Sequence, residues 1–217
     1  MISREILIYG AGGAGRQLAF ALSLDKNPDT AWKLEGFIDD TKRQGEIVNG
    51  IRVLGAMDYL KNYSGNIAVS IVANPLVRRE LILKIRKNAK IKFPLVISSH
   101  AIVSPHVELG EGCIVSPLDV VQPNSKFGDF VWMNGQSRIG HDAIIGGYTT
   151  IFSGVLICGG VSIGSGCVIG AGAIILPKRN IGDGSIIGAG TLVTKDIPLG
   201  VTAFGVPAKI IRKIKKI

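Results

Sequence analysis

Large apolar residues recur every six positions from Val103 to Leu199, seventeen in succession without an insertion. Val103, Leu109, Val115, Val121, Phe127 and Met133 open the series. Isoleucine then holds it from Ile139 to Ile187, before Val193 and Leu199. Four residues after most of these stands a small or β-branched residue, such as Cys113, Ser125, Ala143, Thr149 or Cys167; Asp119, Arg179 and Ile197 depart. Six is not the period of an α-helix, so the pattern predicts something else. Each hexad reads as a short strand and a corner, and three hexads make a triangular coil of roughly 18 residues. Stacked coils would pair as parallel strands about 4.8 Å apart. Glycine often follows the large residue, as at Gly110, Gly140, Gly146 and Gly170. These glycines are expected to supply corner angles that are costly with a Cβ.

The first half has a different pattern. Glu5 to Tyr9 reads as a strand, followed by a glycine-rich run from Gly10 to Gly15 and a helix from Arg16 to Leu24. Strands are predicted at Lys33–Ile38, Ile51–Leu54, Ile67–Ala73 and Leu95–Ile97. A helical turn is predicted at Met57–Lys61 and a basic amphipathic helix at Leu76–Lys90. Alternating strands and helices predict a small Rossmann-like parallel α/β sheet over residues 1–95. The repeat then occupies 96–205, and a basic tail follows over 206–217, with Lys209, Arg212, Lys213, Lys215 and Lys216.

Composition narrows the class. Of 217 residues, 47% are apolar and only 19% charged, which excludes a mainly disordered chain. No apolar run reaches the ~18 to 20 residues of a membrane span. The first residues lack the layout of a signal peptide, so a cytoplasmic protein is expected. Three cysteines without a CxxC point to neither a disulfide framework nor a zinc knuckle. Cys113 and Cys167 fall in the small inward phase and read as core fillers, which leaves Cys158 at a corner. The net charge is +9, yet aromatics are only 6% and do not interleave with the basic residues, so no nucleic acid is expected as partner. The basic residues of the second helix, among them Arg78, Arg79 and Lys84, read either as a surface attractive to phosphates or as a solvated face.

Two constellations can carry chemistry. Gly10-x-Gly12-x-x-Gly15 has the spacing of a nucleotide-phosphate turn between a strand and a helix. Asp39, 24 residues beyond Gly15, ends the next strand, where a carboxylate can accept ribose hydroxyls. The alternative is a glycine-rich turn that binds nothing, with Asp39-Asp40 solvated. His141 lies two places past Ile139 and so falls off both buried phases. It reads either as an ordinary surface histidine or as a general base, with Asp142 orienting the ring.

The segment Asn134-Gly135-Gln136-Ser137-Arg138-Ile139-Gly140-His141-Asp142 resembles a stretch of the bacterial sugar acetyltransferases of the sialic-acid O-acetyltransferase and UDP-4-amino-sugar N-acetyltransferase type. Phe37-Ile38-Asp39-Asp40, Gly50-Ile51-Arg52-Val53-Leu54-Gly55 and Gly205-Val206-Pro207-Ala208-Lys209 are also similar to blocks of that family, in the same order. The resemblance implies a left-handed parallel β-helix, a homotrimer, and acetyl-CoA lying in the groove between protomers. It implies that His141 deprotonates the acceptor amine or hydroxyl of a UDP-linked sugar, supported by Asp142. It implies acetyl-CoA contacts at Asn134, Thr150, Gly159, Ala171 and Ala189. Gly12, Gly13, Ala14, Asp39, Asp40 and Ala73 would hold the nucleotide. The sequence departs from the family where Thr150 replaces a second histidine, where Ala14 replaces a histidine of some members, and at Gly135 and Gln136.

No metal is expected. A metal-dependent β-helix lyase would need three convergent histidines, and His100 and His106 lie at the start of the repeat, far along the stack from His141. A non-catalytic nucleotide-binding scaffold is the remaining alternative.

Overall fold

The computed structural model describes residues 4–27 and 29–214. Lys215 and Lys216 of the basic tail lie outside them. The chain divides into two compact units, residues 1–99 and 100–217.

The first unit carries β1 (Glu5–Tyr9), α1 (Gly13–Ser23), β2 (Lys33–Ile38), β3 (Ile47–Val48), β4 (Ile51–Gly55), a 3-10 turn (Met57–Lys61), β5 (Gly65–Val69), α2 (Pro75–Ile85) and β6 (Ile91–Lys92). The sheet order is β3-β4-β2-β1-β5-β6, parallel throughout except for the β3–β4 hairpin. Ile6, Leu7 and Ile8 are fully buried at its centre, because a parallel strand covered on both faces needs a continuous apolar run. Strands β3 and β6 have two residues each, too short to leave a periodic signal. Helix α1 begins at Gly13, inside the glycine run, rather than at Arg16. Arg78 is not part of a solvated face: its side chain is buried and Nη1 donates to the Ile71 carbonyl at 2.9 Å.

The second unit is a three-faced parallel β-helix. Its first face contains Ile114–Val115, Trp132–Met133, Thr150–Ile151, Val168–Ile169, Ile186–Ile187 and Val201–Phe204. The second runs from Ile102–Val103 through Arg138–Ile139 and Leu156–Ile157 to Leu192–Val193. The third runs from Glu108–Leu109 through Ile144–Ile145 to Asn180–Ile181. Successive coils stay in eighteen-residue register, as in Val121↔Ile139 and Ile139↔Ile157. The second residue of each pair points inward, so Ile139, Ile151, Ile157, Ile169 and Ile187 stack as fully buried ladders.

Two features differ from expectation. The glycines that follow the large aliphatics do not adopt unusual angles, Gly200 excepted. They are excluded volume: a Cβ on Gly146 would stand 2.4 Å from the backbone of Gly164, and one on Gly140 2.5 Å from Gly159 N. The left-handed conformation falls instead three residues after each large aliphatic, at every sixth residue from Gly112 to Gly190, with φ between 57° and 72°. Half of those positions are not glycine, Asn124 and Asp142 among them. The second difference is at the end. Leu199 is 68% exposed. Ile197 bridges Ile181 and Ala203 pairs with Ile187, each sixteen residues on rather than eighteen. The last coil is thus two residues short, and the inward phase moves with it. The described part of the basic tail is ordered into the sheet: Lys209–Lys213 pairs antiparallel with Val201–Phe204.

Candidate active site

In the first unit, β1 pairs in parallel with β2 on one side and β5 on the other. The chain therefore reverses its direction of travel across the sheet between β1 and β5, which is where doubly wound sheets bind ligands at their carboxyl edge. The loops after β1, β2 and β5 meet at that edge and, with the first turn of α1, carry the six predicted nucleotide residues. Gly12 caps α1 without a side-chain bond, and the first intrahelical bond is Arg16 N to Gly12 O. The N–H groups of Gly13, Ala14 and Gly15 precede that bond, as an anion site requires. A Cβ at Gly12 or Gly13 would meet nothing within 4 Å, so this backbone is open to approach. Gly15 has another purpose: its Cβ would collide with the Gly10 carbonyl at 1.8 Å.

Asp39 is buried and braces two loops. Its Oδ2 accepts from Ala11 N at 2.7 Å, and its Oδ1 accepts from Thr41 N at 2.8 Å and Thr41 Oγ1 at 2.7 Å. Burial pushes its pKa up, but the bonds from Thr41 and Ala11 outweigh it and hold the carboxyl below the ordinary value. Both oxygens thus already accept bonds from the protein's own N–H and O–H groups, which leaves one acceptor site on Oδ2. Asp40 accepts from Tyr9 Oη and, at 2.8 Å, from Met57 N. Burial first, and then the Asp40 bond, raise the Tyr9 pKa. Ala73 is exposed just before Asn74, whose Oδ1 caps α2 through Leu76 N and Val77 N.

In the β-helix, His141 and Asp142 form the corner between the second and third faces. His141 Nδ1 lies 2.7 Å from Asp142 Oδ2, and the imidazole is 65% exposed. The corner is held from both neighbouring coils. Below, the Gln122 side chain accepts from His141 N at 3.2 Å, and Asn124 Nδ2 donates to Asp142 Oδ1 at 3.1 Å. Above, Gly160 N donates to the His141 carbonyl at 2.9 Å. Gly159 is glycine for the sake of the ring, because a Cβ there would stand 2.6 Å from Nε2. The His141 bond, followed by the Asn124 bond, holds the Asp142 carboxyl below its usual range. A carboxylate on Nδ1 selects the tautomer with Nδ1 protonated and Nε2 free to accept a proton.

The other predicted acetyl-CoA residues do not share this edge. Asn134, Ala171 and Ala189 lie at the corner between the first and second faces. Ala171 and Ala189 are exposed and one coil apart in register, whereas Asn134 is half-buried, with Oδ1 accepting from Trp132 Nε1 at 3.3 Å. Thr150 lies on the first face and is fully buried, so its hydroxyl offers nothing to a ligand. The flat second face separates the Ala171–Ala189 edge from the His141 edge. Cys158, half-buried, stands on the His141 edge, while Cys113 and Cys167 are buried.

Two further groups carry no role predicted from the sequence, although Asp119 stands out as a departure from the small inward phase. Asn124 carries no motif, although its side-chain type favours the left-handed corner it occupies. Asp119 is fully buried, accepting from Ser116 N and Ser137 N at 2.9 Å each. Burial pushes its carboxyl up to about 7. Among the described residues, no three His, Cys, Asp or Glu side chains gather to hold a metal, and no helix is long and apolar enough to cross a membrane.

Comparisons with known proteins agree with this architecture. Residues 5–85 match the family described as PglD N-terminal domain, and residues 160–195 match bacterial transferase hexapeptide (six repeats). The chain is 34% identical over 167 residues to the GDP-perosamine N-acetyltransferase of Escherichia coli O157:H7, covering 72% of this chain and 71% of that one. PerB from Caulobacter crescentus, solved with CoA and GDP-perosamine, superposes with a TM-score of 0.86 at 29% identity, over 96% of this chain and 97% of that one. The acetyltransferase domain of PglB from Neisseria gonorrhoeae, solved with acetyl coenzyme A, gives 0.86 at 30% identity, over 96% and 100%. With an α/β parallel sheet leading into a left-handed hexapeptide β-helix, and a relative one-third identical over most of its length, the chain belongs to the bacterial sugar acetyltransferases.

Proposed function

We propose that the protein transfers an acetyl group from acetyl-CoA to the amino group of a nucleotide-linked sugar by direct attack. The observation that carries this reading is the His141–Asp142 pair, which engages Nδ1 and leaves Nε2 available on an exposed edge. The acceptor nitrogen attacks the thioester carbonyl and gives its proton to His141 Nε2. The C–S bond then breaks, and the CoA thiolate takes up a proton. Asp142 stabilises the imidazolium formed in between.

The nucleotide occupies the crevice at the carboxyl ends of β1 and β5, with its phosphates at Gly12, Gly13 and Ala14. Asp40 and Ala73 border it, and Asp39 acts by holding Ala11 and Thr41 in place. A UDP sugar is the expectation from the resemblance, whereas one relative is named for GDP-perosamine and another was solved with it bound, which favours a GDP-linked amino sugar. Residues 1–95 would serve the acceptor and 96–205 the transfer.

One protomer holds its two transfer elements on different edges, with a flat face between them. That face carries exposed apolar residues, Ile102, Leu156 and Ile174, along one stripe. Both facts support a homotrimer in which the His141 edge of one copy lies beside the Ala171–Ala189 edge of the next, with acetyl-CoA between them. Three free thiols fit a reducing cytoplasm.

A thiol-release assay with acetyl-CoA and a panel of GDP- and UDP-linked amino sugars tests the reading. Release with one amino sugar and not with its 4-hydroxyl counterpart supports N-acetylation. Binding of both ligands with no release would mark a scaffold instead.

A further inference from the structure

We infer that Asn124, one coil below the base, is a positioning residue that aims Asp142 at His141; this rests on the reading of His141 as the base. Asn124 and Asp142 occupy equivalent left-handed corners of successive coils, with φ 63° and 57°. The eighteen-residue register places their side chains one above the other on the same edge. A carboxylate in that position has two acceptor oxygens, and the ring occupies only one. Asn124 Nδ2 donates to Oδ1 at 3.1 Å, while Oδ2 faces His141 Nδ1 at 2.7 Å. The amide therefore fixes the rotation of the carboxyl group, and the carboxyl group fixes the ring.

The remaining neighbours supply no substitute. The coil above offers Gly160 at the same corner, with no side chain, and Lys178 stands one coil higher, its Cγ over Gly160. His106, below Asn124, contributes its carbonyl to Asn124 N at 3.1 Å. Along this edge the coils also carry His106, His141, Cys158 and Lys178 as titratable groups near Asp142. The lowered pKa of Asp142, caused by His141 first and Asn124 second, agrees with the geometry.

The corner itself provides a clean control. Glycine tolerates the left-handed conformation at no steric cost, so Asn124→Gly removes the amide and keeps the backbone. Asn124→Asp keeps shape and corner preference but puts an anion against Asp142 Oδ1. Asn124→Gly should lower kcat about 3- to 10-fold, leave both KM values within about twofold, and leave the Tm nearly unchanged. Asn124→Asp should lower kcat further and move the acidic limb of the kcat/KM profile to higher pH, because a second anion favours the imidazolium. The same two variants are read by 15N spectra of the His141 ring, where the share of Nδ1-protonated tautomer should fall. A corner-forming role alone predicts a wild-type kcat, profile and tautomer for Asn124→Gly, and that result would overturn the inference. If the wild type releases no thiol but the tautomer shifts in Asn124→Gly, the positioning holds and the catalytic reading fails.

Discussion

The imidazole of His141 lies against the Cα of Gly159 one coil above, so closely that a Cβ there would stand 2.6 Å from Nε2 and 2.7 Å from Cε1. Gly159 has no left-handed φ, so its identity reflects the ring and not the backbone. Gly159→Ala should displace the imidazole by a few tenths of an ångström or more and lower kcat/KM by roughly 10- to 100-fold. The Tm should stay close to wild type, since the ring is free to rotate outward. Steady-state kinetics beside a melting curve check both halves.

Two kinds of glycine predict two kinds of damage. Gly146→Ala would set a Cβ 2.4 Å from the backbone of Gly164, where nothing flexible can yield. It should destabilise the β-helix by about 3 kcal/mol or more, as overpacking against backbone does. Gly166 has open space around its Cβ position but φ +65°. Gly166→Ala should cost only about 1 kcal/mol, the ordinary penalty of the left-handed region. Denaturant titration of both variants should give that order.

Asp119 makes the β-helix pH-dependent. Its folded carboxyl sits at about 7, above the usual unfolded value, because it is buried. The folded state then binds the extra proton between about pH 4 and pH 7. Its contribution is therefore full below about pH 4 and is lost as the pH rises through about 7, with a slope of up to about 1.4 kcal/mol per pH unit. Asp119→Asn should flatten Tm against pH in that window, while lowering Tm overall, since the amide oxygen can accept from only one of the Ser116 and Ser137 N–H groups and the amide NH2 faces the other.

Asp39→Ala removes the acceptor for Ala11 N and Thr41 N, the two loops that flank the proposed nucleotide site. Leaving a buried N–H unsatisfied costs about 1 to 3 kcal/mol. The KM for the acceptor should rise several-fold, and that for acetyl-CoA should not move. Equal rises in both would contradict the assignment of the crevice to the nucleotide.

The β-helix is legible in the sequence because its period leaves no freedom: each inward residue repeats in register, so the apolar series alone locates the coils. The signal ends at Leu199, where a coil two residues shorter moves the inward residue to Ile197. The chemistry of the corners is less legible. Gly140 and Gly160 look alike in sequence, but one excludes volume and the other takes φ +67°. His141 and Asp142 stand out as off-phase polar neighbours. Asn124, Gln122 and Gly159 do not, because they meet His141 and Asp142 only through the eighteen-residue stack. Likewise nothing in Asp39 itself shows that both its oxygens are already bonded.

The central claim is that His141 Nε2 takes the proton of the acceptor amine. The direct test is acetyl transfer by His141→Ala, followed by thiol release at saturating acetyl-CoA and acceptor. Loss of at least about 100-fold in kcat, with acetyl-CoA affinity retained, is the predicted result. A variant that transfers acetyl as fast as the wild type would contradict it.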